Sequence, residues 1–338
     1  MYSTYSDGLV LKIRITGEDP TQSSTIPLNL DRRNSHMPFA DSRTPRPLLF
    51  RLAPTPSGFL HIGNLYNFLL TEAFRQALGG RLLLRIDDLD RTRFRPGYLQ
   101  DIFRHLQALG ISPDLGPSGP GEFERHWSQR HRHPLYAAVL DRLKPHLYAC
   151  TCSRSDWKHL GPSYPGICRD RHLELDGPDR HWRIHVPAHT RIQRTALDGR
   201  LQSYQATLPE GDPILRNRQN TIAYQLATVV DDLHFGVQAI VRGMDLLPST
   251  GFQYWLADRL GSHRLHTDGE HADHPQTATY ADVRCWHHPL LLDANGNKRS
   301  KSTQKQGPLD LSHRQIDDLR SQAQHDADHV LRAGNPQS

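Results

Sequence analysis

The stretch that most constrains this chain is Leu48-Leu49-Phe50-Arg51-Leu52 together with the turn that follows it. Five mostly apolar residues hemmed by prolines read as a buried strand of a parallel sheet. Pro54, Pro56 and Gly58 then exclude both helix and strand, so the chain must turn. Leu65, Phe68, Leu69, Glu72 and Ala73 recur near helical spacing, and Gly79-Gly80 supplies a stop. A strand, a tight turn and a helix N-terminus form a place for phosphate, because free N–H groups and the positive end of the helix dipole face the turn. His61 sits at that mouth, and Gly63 allows a ligand close to the backbone. Alone, this unit is equally an ordinary connection with an incidental histidine.

A second element changes that reading. Far downstream, Gly296-Asn297-Lys298-Arg299-Ser300-Lys301-Ser302 has the composition of a loop that clamps a triphosphate. His61-Ile62-Gly63-Asn64 and Lys298-Arg299-Ser300-Lys301-Ser302 resemble the HIGH and KMSKS signatures of class I aminoacyl-tRNA synthetases. Asn64 replaces the second His and Arg299 the Met. The run Arg51-Leu-Ala-Pro-Thr-Pro-Ser-Gly58 is similar to the glutamyl branch of that class.

Composition sets outer limits. The 338 residues suffice for one large or two modest domains. A mean hydropathy of −0.64 describes a polar chain. The net charge of +5 suits a polyanionic partner without proving one. No apolar run approaches the ~20 residues of a membrane span, and the N-terminus lacks a signal pattern. Four cysteines, three of them close together, read as a metal site in a reducing compartment, which places the chain in the cytoplasm.

In chain order, residues 1–46 read as a disordered extension, with Met37 a candidate start. Arg81–Ile86 reads as a second buried strand that runs into the acids Asp87, Asp88 and Asp90. Carboxylates at a parallel strand's C-terminal end lie where open α/β sheets bind ligands, though a solvated acidic turn looks the same. Helices are expected from Pro96 to Leu109 and over 128–144. The basic stretch 125–133 suits either RNA phosphate or solvent. Strands are expected at 181–187 and within 199–207, a helix from Thr221, and a buried strand ending at Arg242. An arginine at that edge is placed either to fork onto a carboxylate or to make an ordinary ion pair. Residues 249–260 read as a helix, and 261–288 as a solvated, His- and Asp-rich insertion in which Cys285 is inert. Ser312 and Gln315 form a capping-box pattern before one tail helix.

Cys150 and Cys152, then Tyr164 and Cys168, offer three thiols and a phenol suited to tetrahedral zinc. His159, Asp170 and His172 are rival fourth donors. The spacing resembles the zinc site of glutamyl-queuosine tRNA(Asp) synthetases, shortened relatives of glutamyl-tRNA synthetase in which the tyrosine is the fourth ligand.

The resemblance implies an α/β fold: a Rossmann-like catalytic domain in two halves, 47–145 and 221–310. An inserted zinc-containing module over 146–220 receives the tRNA acceptor end, and 311–338 forms the tail helix. With 36 residues after Ser302, no anticodon-binding domain is expected. It further implies glutamate binding by Arg51, Ala53, Ser57, Asp87, Tyr224 and Arg242. Asp87 stands where the family carries a Glu for the substrate ammonium. His61, Gly63, Asn64, Lys298, Ser300 and Lys301 would bind ATP with Mg²⁺, His61 and Lys301 acting in catalysis. The implied reaction is ATP-dependent activation of glutamate and its transfer to queuosine in tRNA(Asp), by a monomer. A small-molecule nucleotidylyltransferase and a catalytically silent tRNA- or adenylate-binding paralogue are the rivals.

Overall fold

The computed structural model describes residues 47–261, 280–291 and 307–334. The extension 1–46, the lysine loop with Lys298, Ser300 and Lys301, and most of the His-rich stretch lie outside them. Among the described residues no helix is long and apolar enough to cross a membrane.

Four strands form one wholly parallel sheet: β1 (Leu49–Leu52), β2 (Arg81–Leu84), β8 (Ala239–Gly243) and β9 (Arg284–His288), in the order β2-β1-β8-β9. Successive side chains point to opposite faces, and both faces are dry. Phe50, Leu52, Leu82, Leu84, Ala239 and Val241 join the core under helices α1 (Ile62–Ala77), α2 (Pro96–Ala108) and His313–Gly334. Leu49, Leu83, Ile240 and Cys285 pack on the other face, against helices His133–Leu143, Tyr224–Phe235 and Leu247–Leu260. Burial on both sides explains why β1 and β2 read as continuous apolar runs. Gly80 ends the turn into β2 because a Cβ there would stand 2.6 Å from the Phe50 ring.

Between the halves, β3 (Leu147–Cys150), β4 (His181–Ile184) and β7 (Ile214–Arg216) form an antiparallel sheet, and β5 (Arg191–Thr195) and β6 (Leu201–Gln205) a hairpin. The last helix docks on α1. Its Ser312–Gln315 capping box is formed, Ile316, Leu319, Ala323 and Ala327 are buried, and Tyr66 Oη donates to Asp326 at 2.5 Å.

Two expectations need correction. The end of the His-rich stretch is no solvated insertion: Arg284–His288 is an edge strand of the main sheet, with Cys285, His287 and His288 buried. Parallel pairing with β8 and burial behind Tyr254 and Tyr280 outweigh its polar composition. The helix expected over 128–144 begins only at His133, after a π turn and a 3₁₀ turn. Arg132 faces inward onto Asp231 rather than toward an RNA.

Candidate active site and candidate metal centre

The chain leaves β1 toward β2 on one side, while β8 is continued by β9 on the other. A crevice therefore opens between the C-terminal ends of β1 and β8, the place where open parallel sheets bind ligands. It is a cleft of about 210 Å³. Arg51, Ala53, Tyr224 and Arg242 line it, and so do His61, Gly63 and Asn64 from the start of α1.

His61 is the N-cap of α1. The Gly63 N–H donates to His61 Nδ1 at 3.1 Å, and the His61 N–H donates to Asn64 Oδ1 at 3.1 Å. This reciprocal cap gives Asn64 a clear physical role in place of the second family His. It also fixes the imidazole: with Nδ1 accepting, the neutral ring carries its hydrogen on Nε2. A Cβ on Gly63 would stand 3.1 Å from that ring, so the glycine makes room for His61 as well as for a ligand.

Arg51 and Arg242 line the same cleft with very different partners. Arg51 Nε donates to Asp232 Oδ1 at 3.0 Å. Asp232 is fully buried and also accepts from Arg85 Nη1 at 2.6 Å. Arg85 in turn grips Asp87 with two bonds, at 2.7 and 2.9 Å. Arg242 is 4 % exposed, yet among the described residues its one close oxygen partner is the neutral Gln253, whose Oε1 accepts from Nη1 at 2.8 Å. Its Nη2 lies 3.9 Å from Cys285 Sγ, and its Nε has no hydrogen-bond partner. Burial works against its charge. The neighbouring Cys285, Tyr224, Tyr280 and Asp232 outweigh burial and raise its pKa above the usual value.

Two glutamate-site candidates lie off the cleft. Ser57 and Asp87 are not among its lining residues. Asp87 is buried, which raises its pKa above the usual carboxylate range despite Arg85. It reaches the cleft only through Arg85, Asp232 and Arg51. In this structure its carboxylate is held by a two-pronged ion pair with the buried Arg85. The other acids after β2 are also occupied by protein: Asp88 takes Ser128 Oγ, the Gln129 N–H and Arg91, and Asp90 takes Thr92.

Sequence reasoning missed Asp231 and Asp232, which anchor the cleft from behind. Asp231 accepts from Arg132, Tyr136 and Gln129. Burial opposes its ionisation, but Arg132 and Arg85 hold its carboxyl below the usual value. The signal was present: two acids directly after the apolar pair Val229-Val230, in the helix Tyr224–Phe235. Asn67, Asp245 and His288 also line the cleft. His288 donates from Nδ1 to the Pro289 carbonyl at 2.8 Å and meets the Asn67 amide through Nε2 at 3.2 Å.

The second site lies in the small module. Cys150, Cys152 and Cys168 are buried free thiols whose sulfurs all lie within 4.8 Å of one another. Cys152 and Cys168 sulfurs are 3.4 Å apart, and Tyr164 Oη stands 3.4 Å from Cys150 Sγ. Zinc–sulfur bonds of ~2.3 Å give a tetrahedron with edges of about 3.8 Å, so these four atoms fit such an ion after a small expansion. Tyr164 Oη accepts the Cys168 N–H at 2.9 Å, and Arg183 lies 4.0 Å over its ring. His159, Asp170 and His172 are exposed and outside the cluster, whereas Tyr164 Oη lies beside it. Burial and the neighbouring thiols push Cys152 up to about 12. Cys168, despite burial, is drawn down to about 7 by the Thr151 backbone and by Cys152. Asp212 braces the module, accepting two bonds from Arg169 and one from Tyr148.

Comparison with known proteins agrees with this geometry. Residues 47–160 match the family described as tRNA synthetases class I (E and Q), catalytic domain. The chain is 38% identical over 255 residues to a glutamyl-Q tRNA(Asp) synthetase from Ectopseudomonas mendocina, covering 75% of this chain and 76% of that protein. It is 36% identical over 255 residues to the Pseudomonas aeruginosa PAO1 protein of the same name, with the same coverage. Among solved structures it is similar to a glutamate tRNA ligase from Elizabethkingia meningosepticum, with a TM-score of 0.56 at 21% identity. That match covers 80% of this chain and 53% of the other, so the chain spans about half the length of that enzyme. At this identity the likeness speaks for the fold.

Proposed function

The chain belongs to the glutamyl-Q tRNA(Asp) synthetase family of class I synthetase-type ligases, and from that premise we propose that it activates glutamate with ATP and transfers the glutamyl group to queuosine in the anticodon loop of tRNA(Asp). The observation that carries the glutamate half is Arg242: a buried guanidinium at the wall of the cleft whose close oxygen partner is neutral. A buried cation without a carboxylate in direct contact is costly, and a substrate carboxylate supplies the missing partner. The transfer half rests on the relatives' name alone.

In the first step a glutamate carboxylate oxygen attacks the α-phosphorus of ATP in line. A P–O bond forms to the adenylate and the bond to pyrophosphate breaks. Negative charge builds on the phosphate oxygens, and His61 Nε2–H and the positive end of the α1 dipole stabilise it. Lys298, Ser300 and Lys301 are proposed to close over the leaving pyrophosphate. Mg²⁺ brought with ATP would neutralise the same oxygens. Arg51, held by Asp232, and Arg242 orient the carboxylates, with Tyr224 and Ala53 shaping the pocket. Asp87 contributes as the far end of the chain of charges that fixes Arg51. In the second step a cyclopentenediol hydroxyl of queuosine attacks the mixed anhydride, AMP leaves, and no protein nucleophile is required. Cys150, Cys152, Cys168 and Tyr164 would hold zinc with no open position, so its role is structural. The reading extends to a monomer working in the cytoplasm.

Charging separates the tRNA assignment from rivals. Tritiated glutamate should be esterified onto tRNA(Asp) carrying queuosine, and not onto the same tRNA with unmodified guanosine. Equal charging of both, or charging of tRNA(Glu) instead, overturns the queuosine assignment.

A further inference from the structure

Behind Arg242 runs a chain of neutral side chains. Arg242 Nη1 donates to Gln253 Oε1 at 2.8 Å, Gln253 Nε2 donates to Gln225 Oε1 at 2.9 Å, and Gln225 Nε2 donates to Ser249 Oγ at 2.9 Å. Gln253 is fully buried, on the helix Leu247–Leu260. Gln225 follows Tyr224, whose ring lines the cleft at the start of the helix Tyr224–Phe235. Each amide has its oxygen toward the cleft and its nitrogen away from it. The direction is set by the chain itself: a guanidinium offers only donors, so the first amide must present oxygen, and every later link inherits that polarity.

Three of the other four buried arginines among the described residues are treated differently, while the fourth, Arg183, donates to the Asp212 backbone carbonyl. Arg51 and Arg85 share Asp232, Arg85 also holds Asp87, and Arg132 is paired with Asp231. Arg242 meets an amide where those three meet a carboxylate. An amide and a carboxylate have nearly the same shape, so packing does not explain the choice. Charge does: Gln253 fixes the guanidinium without neutralising it.

We infer that Gln253 is a positioning residue for substrate selection, which aims Arg242 into the cleft through the Gln225–Ser249 relay and, being uncharged, leaves the cation for the side-chain or α-carboxylate of the amino acid. The inference rests on the glutamate reading above. It adds that selectivity for an anionic substrate resides partly in a residue that never touches it. The relay also joins the end of β8 to the helix bearing Tyr224, so two walls of the cleft move as one.

Gln253→Glu tests it, because the variant is nearly isosteric and supplies an internal carboxylate. Glutamate binding is read by calorimetry, and the KM values for glutamate and ATP by pyrophosphate exchange, on the full chain with thermal unfolding as control. The expected result is at least a tenfold weaker glutamate Kd and a matching rise in its KM. The ATP KM should stay within threefold and the unfolding midpoint should be unchanged or higher. Gln253→Leu, which removes the aim without adding charge, should lower kcat as well as raise the glutamate KM. If the wild type binds glutamate and Gln253→Glu binds it within twofold as well, the inference falls and the functional reading stands. If Gln253→Glu proves unstable, Gln225→Leu takes its place: a glutamate KM within twofold of wild type then overturns the relay. A wild-type chain that takes up no glutamate overturns both.

Discussion

Arg242 in the cleft and the three cysteines of the small module are all polar groups nearly out of reach of water, and their surroundings differ in one respect. The cysteines face each other and Tyr164, with four donor atoms converging on a single point. A cation placed there has every position filled by protein, so it stays. Arg242 faces an open cleft with one neutral amide behind it, so the partner that completes it must come from outside and can leave again. A structural site closes its coordination within the chain, whereas a turnover site is held one partner short. Arg51, on the neighbouring strand β1, shows the intermediate case: its Nε is satisfied by Asp232 and the residue still lines the cleft.

The largest effect that tests this contrast is at Arg242. Arg242→Ala should lower kcat/KM for glutamate by ~100- to 1000-fold, since losing a buried charge pair costs about 3–4 kcal/mol. Steady-state exchange kinetics check it, and a change below threefold would mean the cleft does not use this cation. The module should behave in the opposite way. Cys152→Ser and Cys168→Ser should each lose a zinc that metal analysis finds at about one per wild-type chain. Their unfolding midpoints should fall, by ~6–12 °C if the lost ion contributes about 3 kcal/mol. Wild-type protein purified without any zinc, together with variants no less stable than wild type, would remove the closed site from the account.

A pH experiment probes the layer between the two. His287 donates to or accepts from Thr250 at 2.7 Å, and burial, reinforced by Arg242 and His288, lowers its pKa from 6.5 to about 3. It stays neutral in the fold while the unfolded chain takes up a proton below 6.5. Stability is therefore complete above that value and is lost as pH falls toward 3. At pH 5 the penalty is ~2 kcal/mol, from 1.5 pH units at 1.36 kcal/mol each. Denaturant titrations at pH 7 and 5 should show that loss, reduced in His287→Asn. The smallest effect on the cleft belongs to Asp87. Asp87→Asn should leave glutamate activation within about tenfold, ~1.4 kcal/mol, because Asp87 acts through Arg85 and Asp232. A loss beyond a hundredfold without a fall in stability would return Asp87 to direct contact with the substrate.

Much of this was legible from residue order. β1, β2, α1 and β8 announce themselves because dry parallel strands are apolar on both faces and the turns between them carry Pro and Gly. That Cys150, Cys152, Tyr164 and Cys168 come together was readable from their spacing, though no metal contact tests their use. What escaped were contacts between residues far apart in sequence. Asp231 and Asp232 pair with arginines roughly a hundred or more positions away, and no local pattern names those partners. Strand β9 was hidden for a related reason: Cys285, His287 and His288 are buried by Tyr204, Tyr254 and β8 rather than by their own hydrophobicity. Asp87 shows the converse hazard. Its position after β2 was legible, but its partner was not: Arg85, two residues earlier on the same strand end, grips the carboxylate with two bonds.

The measurement that bears most directly on the central claim is amino-acid-dependent exchange of labelled pyrophosphate into ATP, run on wild type and Arg242→Ala together. The account predicts exchange with glutamate, much weaker exchange with aspartate, and near loss of both in the variant. A methylene discriminates by only ~1–3 kcal/mol, so some aspartate activity is expected. Exchange driven by an uncharged amino acid, no exchange with any amino acid, or a variant as active as wild type would contradict it.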